Sequence, residues 1–183
     1  MDIKLQKSGI DIEIKAKCRN HIFIKKILAG KKAKKIGKFK MRDIYFNVKY
    51  GRLKARIGDI KDILIQYRRE DIKMPKRSDF LVSIIDRNSN IIPSLIKSLG
   101  IKAIVRKERE IYILGNTRFH LDKIQGLGNF IEIEARGEKE KEIKRLREQI
   151  KEYIKLLRID KKTLVANSSS DLVLAKNLHK RPK

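Results

Sequence analysis

Two pairs of carboxylates lie near opposite ends of the sequence, and both pairs have the same spacing. Asp11 and Glu13 alternate with isoleucines, and so do Glu132 and Glu134. An i, i+2 spacing places both carboxylates of a pair on one face of a β-strand. If the two strands are neighbours, four carboxylates converge and repel one another unless a divalent cation neutralises them. Hard oxygen ligands of this kind suit Mg²⁺ or Mn²⁺.

Basic side chains dominate the same face of the segments between the two acidic pairs. This face holds Lys15, Arg52, Lys54, Arg56, Lys107, Arg109, Arg118, His120 and Asp122. Random solvation would mix the charge signs on every strand, whereas here the acids collect on the first and last strands. Cations around a metal need a counter-anion, and a polyphosphate supplies one because guanidinium groups match phosphate oxygens. A single histidine such as His120 is more typical of a structural role.

The elements that must position these residues are mainly strands. Period-two alternation and β-branched or aromatic content predict strands. They cover residues 10–15, 38–47, 52–57, 61–69, 103–114, 118–122 and 130–134. Gly115-Asn116 is typical of a two-residue hairpin turn, and Gly126-Leu127-Gly128 of a turn before the last strand. Helices are predicted over residues 21–29, from after Pro93 to Gly100, and over 143–157, where apolar residues recur at three- and four-residue steps.

Two arrangements explain this pattern, and both belong to the α+β class. In the first, an antiparallel sheet has one face in water and the other on the core, as such sheets usually do. In the second, the sheet closes into a barrel whose polar face points inward, while helices cover its apolar outer face. The segregation of charge by strand favours the barrel, because closure makes the first and last strands near neighbours.

Composition limits the classes of protein to which the chain can belong. Its 183 residues include 47 Lys and Arg against 22 Asp and Glu, a net charge of +25, yet 41% are hydrophobic. That apolar share is too high for a disordered basic tail. The single Cys18 excludes an internal disulfide and a multi-cysteine zinc site. No uncharged run reaches the ~20 residues of a membrane span, and the N-terminus lacks an apolar signal segment. We expect one soluble, cytoplasmic domain over residues 1–183.

Several blocks resemble the CYTH family, also called triphosphate tunnel metalloenzymes. The sequence DIEIKAK, from Asp11, is similar to the ExExK signature of that family. Further similar blocks follow in order at residues 43–56, 63–71, 105–135 and, weakly, 167–174. Within the family, the chain looks most like the group named class IV adenylate cyclases.

The resemblance implies a fold and a set of site residues. The fold is an eight-stranded antiparallel barrel that forms a tunnel with a polar lumen, flanked by helices. The implied ligands of divalent metal are Asp11, Glu13, Glu132 and Glu134, and Asp122 either joins them or orients Arg118. The implied triphosphate-binding residues are Lys15, Lys54, Arg56, Arg69, Lys107, Arg109 and Arg118. Lys15 either activates water, if deprotonated, or holds phosphate as a cation, and its acidic surroundings favour the cation.

Three positions depart from the family pattern. Asp11 stands where the family has a glutamate one methylene longer. Met41 stands where a polar residue is common, and Ser169 replaces a usual tyrosine. The basic run from Lys31 to Arg42 is typical of a solvated segment or a strand edge.

Three functions fit the sequence. The first is a Mg²⁺- or Mn²⁺-dependent triphosphatase acting on inorganic triphosphate or a small organic triphosphate such as thiamine triphosphate. The second is a class IV adenylate cyclase that converts ATP to cyclic AMP; no set of adenine-reading residues stands out, which favours the triphosphatase. The third is a basic barrel that binds nucleic acid non-specifically, which the net charge suggests and the ordered carboxylates oppose. No membrane partner is expected, and the sequence leaves a homodimer open.

Overall fold

The computed structural model describes residues 8–178. The first seven residues, which belong to the N-terminus predicted to lack a secretory signal, lie outside it, and so do the last five. The strands are β1 Ser8–Lys17, β2 Lys34–Phe46, β3 Arg52–Gly58, β4 Ile63–Arg69, β5 Lys76–Ile84, β6 Ile101–Leu114, β7 Thr117–Ile124 and β8 Gly128–Gly137. The helices are α1 Ile22–Gly30, α2 Ile91–Leu99, α3 Ile143–Leu156 and α4 Ser169–Leu178. Short 3₁₀ turns occupy Glu140–Glu142 and Lys161–Thr163.

The eight strands form one closed antiparallel barrel in the order β1-β5-β4-β3-β2-β6-β7-β8. The barrel closes where β1 pairs with β8, in a register that sets Glu13 opposite Glu134 and Lys15 opposite Glu132. The two ends of the sheet therefore meet, and the alternative of an open sheet is wrong. Closure also removes the exposed sheet edges that an open arrangement would leave.

The apolar faces of the strands point outward and are covered by helices. On one side, α1 and α3 pack on β1, β7 and β8, and buried side chains there include Ile12, Phe119, Ile133, Leu146 and Ile150. On another side, α2 packs on Ile44, Phe46 and Ala55 of β2 and β3. This is the inverted barrel that the sequence predicts, with its polar residues left for the interior.

Seven of the strands are those that the sequence pattern predicts, and the eighth is β5. Its alternation is hidden because the charged Arg77 and Asp79 occupy the outward face while Lys76 and Ser78 are buried inside, so neither face reads as apolar. Helix α2 begins at Ile91, before the predicted start at Pro93, because proline is tolerated in the first helical turn. Gly100 ends it with a φ of 67°.

The basic run lies on the outer wall of the barrel. Residues from Lys34 to Lys40 pair with β6 alone, because the pairing of β2 with β3 begins at Met41. The run is therefore partly a strand edge, as predicted. Between residues 8 and 178, no helix combines the length and apolar character needed to cross a membrane.

Candidate active site

The barrel encloses a cavity of about 180 Å³ whose walls are the inward faces of the strands. Six of the predicted triphosphate-binding residues line it, namely Lys15, Lys54, Arg56, Lys107, Arg109 and Arg118. Four of the predicted metal ligands line it as well, namely Asp11, Glu13, Glu132 and Glu134. Arg69 joins this group through its ion pair with Glu13. The structure thus brings these residues together in one lumen, and their individual roles stay predictions.

Glu132 and Glu134 form a cluster with His120 that sequence analysis did not assign to the site. One oxygen of each carboxylate and one ring nitrogen of His120 lie within 4.8 Å of one another. His120 Nδ1 is 3.3 Å from Glu134 Oε1 and 3.7 Å from Glu132 Oε2. All three side chains are mostly shielded from solvent. Two carboxylates and an imidazole at this spacing fit a divalent cation, so the residues present suit the metal that the sequence predicts.

Asp11 and Glu13 reach the lumen, but each is already engaged by an arginine. Arg136 donates two hydrogen bonds of 2.9 Å to the two carboxylate oxygens of Asp11. Arg69 Nη1 donates to Glu13 Oε1 at 2.6 Å. Burial raises the pKa of Asp11 to about 6 despite Arg136, with the nearby Glu134 carboxylate acting in the same direction. These two acids are therefore held beside the cluster by ion pairs of their own.

Asp122 positions cations and does not contact Arg118 within the described residues. It is fully buried and accepts hydrogen bonds from Arg109 Nε and Nη2 at 2.6 and 2.7 Å. Lys107 Nζ donates to it at 3.1 Å. Its described contacts include no bond to Arg118, and its predicted role as a metal ligand stays a prediction. The contacts instead fix Arg109 and Lys107 so that both project into the lumen.

Asp43 does the same from β2, on the other side of β6, and sequence analysis did not single it out. It is fully buried and accepts two hydrogen bonds from Arg56, at 2.7 and 2.8 Å, and one from Lys54 at 3.2 Å. Burial raises its pKa, but Arg56, Lys54 and Lys107 outweigh that effect and hold the pKa well below its usual range. The available signal was its place between Met41 and Tyr45 on one face of β2, both of which line the lumen.

Helix α4 and the segment before it close one end of the lumen. Lys15 Nζ donates to Ser169 Oγ at 2.6 Å and lies 2.7 Å from Glu132 Oε1. Lys76 Nζ donates to the carbonyl oxygens of Val165 and Ala166, both at 3.0 Å. Ser169, where the family usually has tyrosine, thus contacts the first-strand lysine directly. At the opposite end, the lumen is bordered by the turn at residues 58–61.

Burial in this cation-rich lumen lowers the pKa of several lysines. It brings that of Lys54 to about 7, because desolvation and the nearby Arg56 and Lys107 outweigh the attraction of Asp43. Burial and Arg109 lower the pKa of Lys107 in the same direction. A polyanion bound beside these lysines would oppose the shift, because nearby negative charge favours the protonated form.

Triphosphate binding should therefore take up a proton at Lys54 when the pH exceeds about 7. Above that pH the unliganded lysine is neutral, and a phosphate beside it raises its pKa, so affinity should fall as pH rises. We expect proton uptake to approach about one at roughly pH 8.5, and Kd to weaken by up to about tenfold per pH unit. Titration calorimetry in two buffers of different ionisation enthalpy measures this uptake.

The matched control for this prediction is Lys54→Arg, whose guanidinium stays charged throughout the range. On binding triphosphate, this variant should take up fewer protons than the wild type, and the difference is the contribution of Lys54. Equal uptake in both proteins would show that Lys54 does not titrate on binding.

The sequence of this barrel is similar to a known protein family and to one of its named members. The CYTH domain model matches residues 9–169, which include every strand of the barrel except Ser8, the first residue of β1. The chain belongs to the CYTH family. This CYTH chain is 30% identical over 173 residues to a Methanocaldococcus jannaschii protein that carries the name of an adenylate cyclase, covering 89% of this chain and 98% of that protein.

Solved structures show the same fold. The PH1012 protein of Pyrococcus horikoshii superposes with a TM-score of 0.74 at 23% identity, covering 88% of this chain and 98% of that one. A Hippeastrum adenylyl cyclase-like protein, described as having a dominant triphosphatase activity, superposes with a TM-score of 0.61 at 14% identity. That match covers 95% of the CYTH chain and 98% of the Hippeastrum chain.

Proposed function

We propose that this CYTH protein is a divalent-metal-dependent triphosphatase that hydrolyses inorganic triphosphate or a small organic triphosphate. The observation that carries the proposal is the layout of the lumen. A carboxylate and imidazole cluster stands among buried cations that are held by Asp43 and Asp122. A closed end limits how far a phosphate chain can extend. A phosphate chain that enters beside the turn at residues 58–61 would first meet Arg56, two residues before that turn on β3, while Lys15 lies at the end closed by Ser169.

The buried aspartates hold the cationic side chains in place before substrate binds. Cations that are already in position stabilise the charge of the transition state most effectively in a site that excludes water. Asp122 holds the guanidinium of Arg109 through two hydrogen bonds, and Asp43 holds that of Arg56 in the same way. Each guanidinium keeps further donors for phosphate oxygens. These arginines therefore need little rearrangement when charge accumulates on the phosphoryl group.

Lys15 acts as a cationic clamp in this proposal. Its Nζ donates to Ser169 Oγ and lies 2.7 Å from Glu132 Oε1, so its contacts hold it at the closed end of the lumen. Glu132 and Glu134 would hold the metal, which when bound polarises phosphate oxygens. Hydrolysis joins the oxygen of water to the terminal phosphorus as the bridging P–O bond breaks. The products are orthophosphate, the shortened diphosphate and one proton.

Class IV adenylate cyclase is the second candidate, and one wall of the lumen favours an organic group on the phosphate chain. On β2 to β5 the lining includes Tyr45, Tyr67 and Phe80 together with Ile65 and Val82. Such a wall can pack against a base or another planar ring. It would serve an organic triphosphate in hydrolysis equally well.

The experiment that separates these functions is a product assay on the full chain with Mg²⁺ and with Mn²⁺. Inorganic triphosphate, thiamine triphosphate and ATP are supplied in turn, and orthophosphate and cyclic AMP are both measured. We expect orthophosphate from at least one substrate and no cyclic AMP. Cyclic AMP as the main product from ATP would contradict the triphosphatase and establish the cyclase.

Non-specific nucleic acid binding is a third candidate, located on the outer wall. Arg42 and Arg106 face each other across β2 and β6, and both are exposed. Like charges directly opposite destabilise a sheet unless an anion lies between them. Tight, salt-dependent RNA binding without any triphosphate turnover would favour this function over hydrolysis.

A further inference from the structure

His120 contains a buried ring nitrogen that no described residue satisfies. It lies on β7, directly opposite Glu132 of β8, and is 5% exposed. Its Nδ1 has no hydrogen-bond partner of adequate geometry within residues 8–178. A buried polar atom without a partner costs about 1–3 kcal/mol, so its persistence calls for an explanation.

The unsatisfied nitrogen points toward the two carboxylates of the cluster. Glu134 Oε1 and Glu132 Oε2 are its near neighbours, at 3.3 and 3.7 Å. Glu132 is also engaged by Lys15 and Arg109, while Glu13, directly opposite Glu134, is engaged by Arg69. The three ligand atoms of the cluster are close enough for one ion to bridge them after small side-chain adjustments.

We propose that His120 Nδ1 is a direct ligand of the metal, so that the site combines one nitrogen with carboxylate oxygens. This inference rests on the proposed function, because it concerns the same metal. It adds a residue outside the four predicted carboxylates, and it sets the class of ion. Mg²⁺ is bound almost entirely through oxygen, whereas imidazole is a ligand of transition metals. The nitrogen therefore favours a divalent transition-metal ion over Mg²⁺.

The test is pulsed electron paramagnetic resonance of Mn²⁺ bound to the full chain carrying isotopically labelled histidine, without triphosphate. We expect a coupling between the bound Mn²⁺ and a histidine nitrogen, and its loss in His120→Gln. In the same variant the Kd for Mn²⁺ should weaken at least about tenfold, while the Kd for Mg²⁺ changes by less than about threefold.

His21→Gln is the matched control. His21 lies on the outside of the barrel, where its Nε2 contacts the carbonyl oxygen of Phe130, and its loss should leave the coupling intact. The wild-type spectrum tests the proposal even if His120→Gln does not fold. Bound Mn²⁺ with no histidine coupling would overturn the inference, and Mg²⁺-dependent turnover in the same preparation would leave the proposed function standing. No binding of Mn²⁺ or Mg²⁺ at millimolar concentration would overturn both.

Discussion

Glu134→Gln should lower metal-dependent triphosphate turnover by about 1000-fold. Glu134 faces Glu13 across the β1–β8 seam and belongs to the cluster with His120 and Glu132. The amide has the shape of the carboxylate but no charge, so the barrel should persist while the cation loses a charged ligand. The measurement is kcat across a titration of Mg²⁺ or Mn²⁺, with triphosphate saturating.

Glu138→Gln is the control for this substitution, because Glu138 is an exposed acid just beyond the end of β8. It should retain turnover within about twofold, as surface substitutions usually perturb little. Full turnover in the double variant Glu13→Ala/Glu134→Ala would contradict the assignment of the site.

Asp43→Asn should lower the free energy of unfolding by about 3–5 kcal/mol in the absence of ligand. The substitution leaves Arg56 and Lys54 buried in the lumen without their carboxylate partner, and it removes a charge that lies 3.7 Å from Lys107. Inorganic triphosphate should restore much of the loss, because its oxygens supply the missing negative charge in the same lumen. Urea denaturation with and without triphosphate measures both effects.

Asp79→Asn provides the matched surface comparison. Asp79 pairs with Arg77 on the outer face of β5 and is 47% exposed, so its loss should cost less than about 1 kcal/mol. Triphosphate should stabilise this variant no more than it stabilises the wild type. If triphosphate also fails to reduce the loss in Asp43→Asn, the lumen is not the triphosphate site.

The sequence predicts most of the barrel because its strands carry period-two alternation with apolar residues outward. The pattern fails at β5, where the charged Arg77 and Asp79 replace apolar residues on the outward face and Lys76 and Ser78 are buried inside. It also misses α4, whose first residues Ser169 and Ser170 are buried without forming an apolar stripe. In both places polar side chains are buried at the closed end of the lumen, and composition alone reads such residues as exposed.

For the site, the sequence predicts which side chains face the lumen. The carboxylate pairs and the inward lysines and arginines follow from alternation, since every second residue of a strand shares a face. Their partners do not follow, because a pairing such as Arg136 with Asp11 depends on the register of β1 against β8. A shift of one residue in the register of a strand would turn all of its side chains to the other face of the sheet. The same dependence hides the proximity of His120 to Glu134.

Anomalous diffraction would show directly whether a divalent cation lies inside the barrel at the cluster of His120, Glu132 and Glu134. Crystals of the full chain with Mn²⁺ and a non-hydrolysable triphosphate analogue would locate the ion and the phosphates together. We predict a Mn²⁺ peak between Glu132 and Glu134, with the phosphate chain extending between Arg56 and Arg109. Mn²⁺ bound only on the outer wall, with no phosphate in the lumen, would contradict the account.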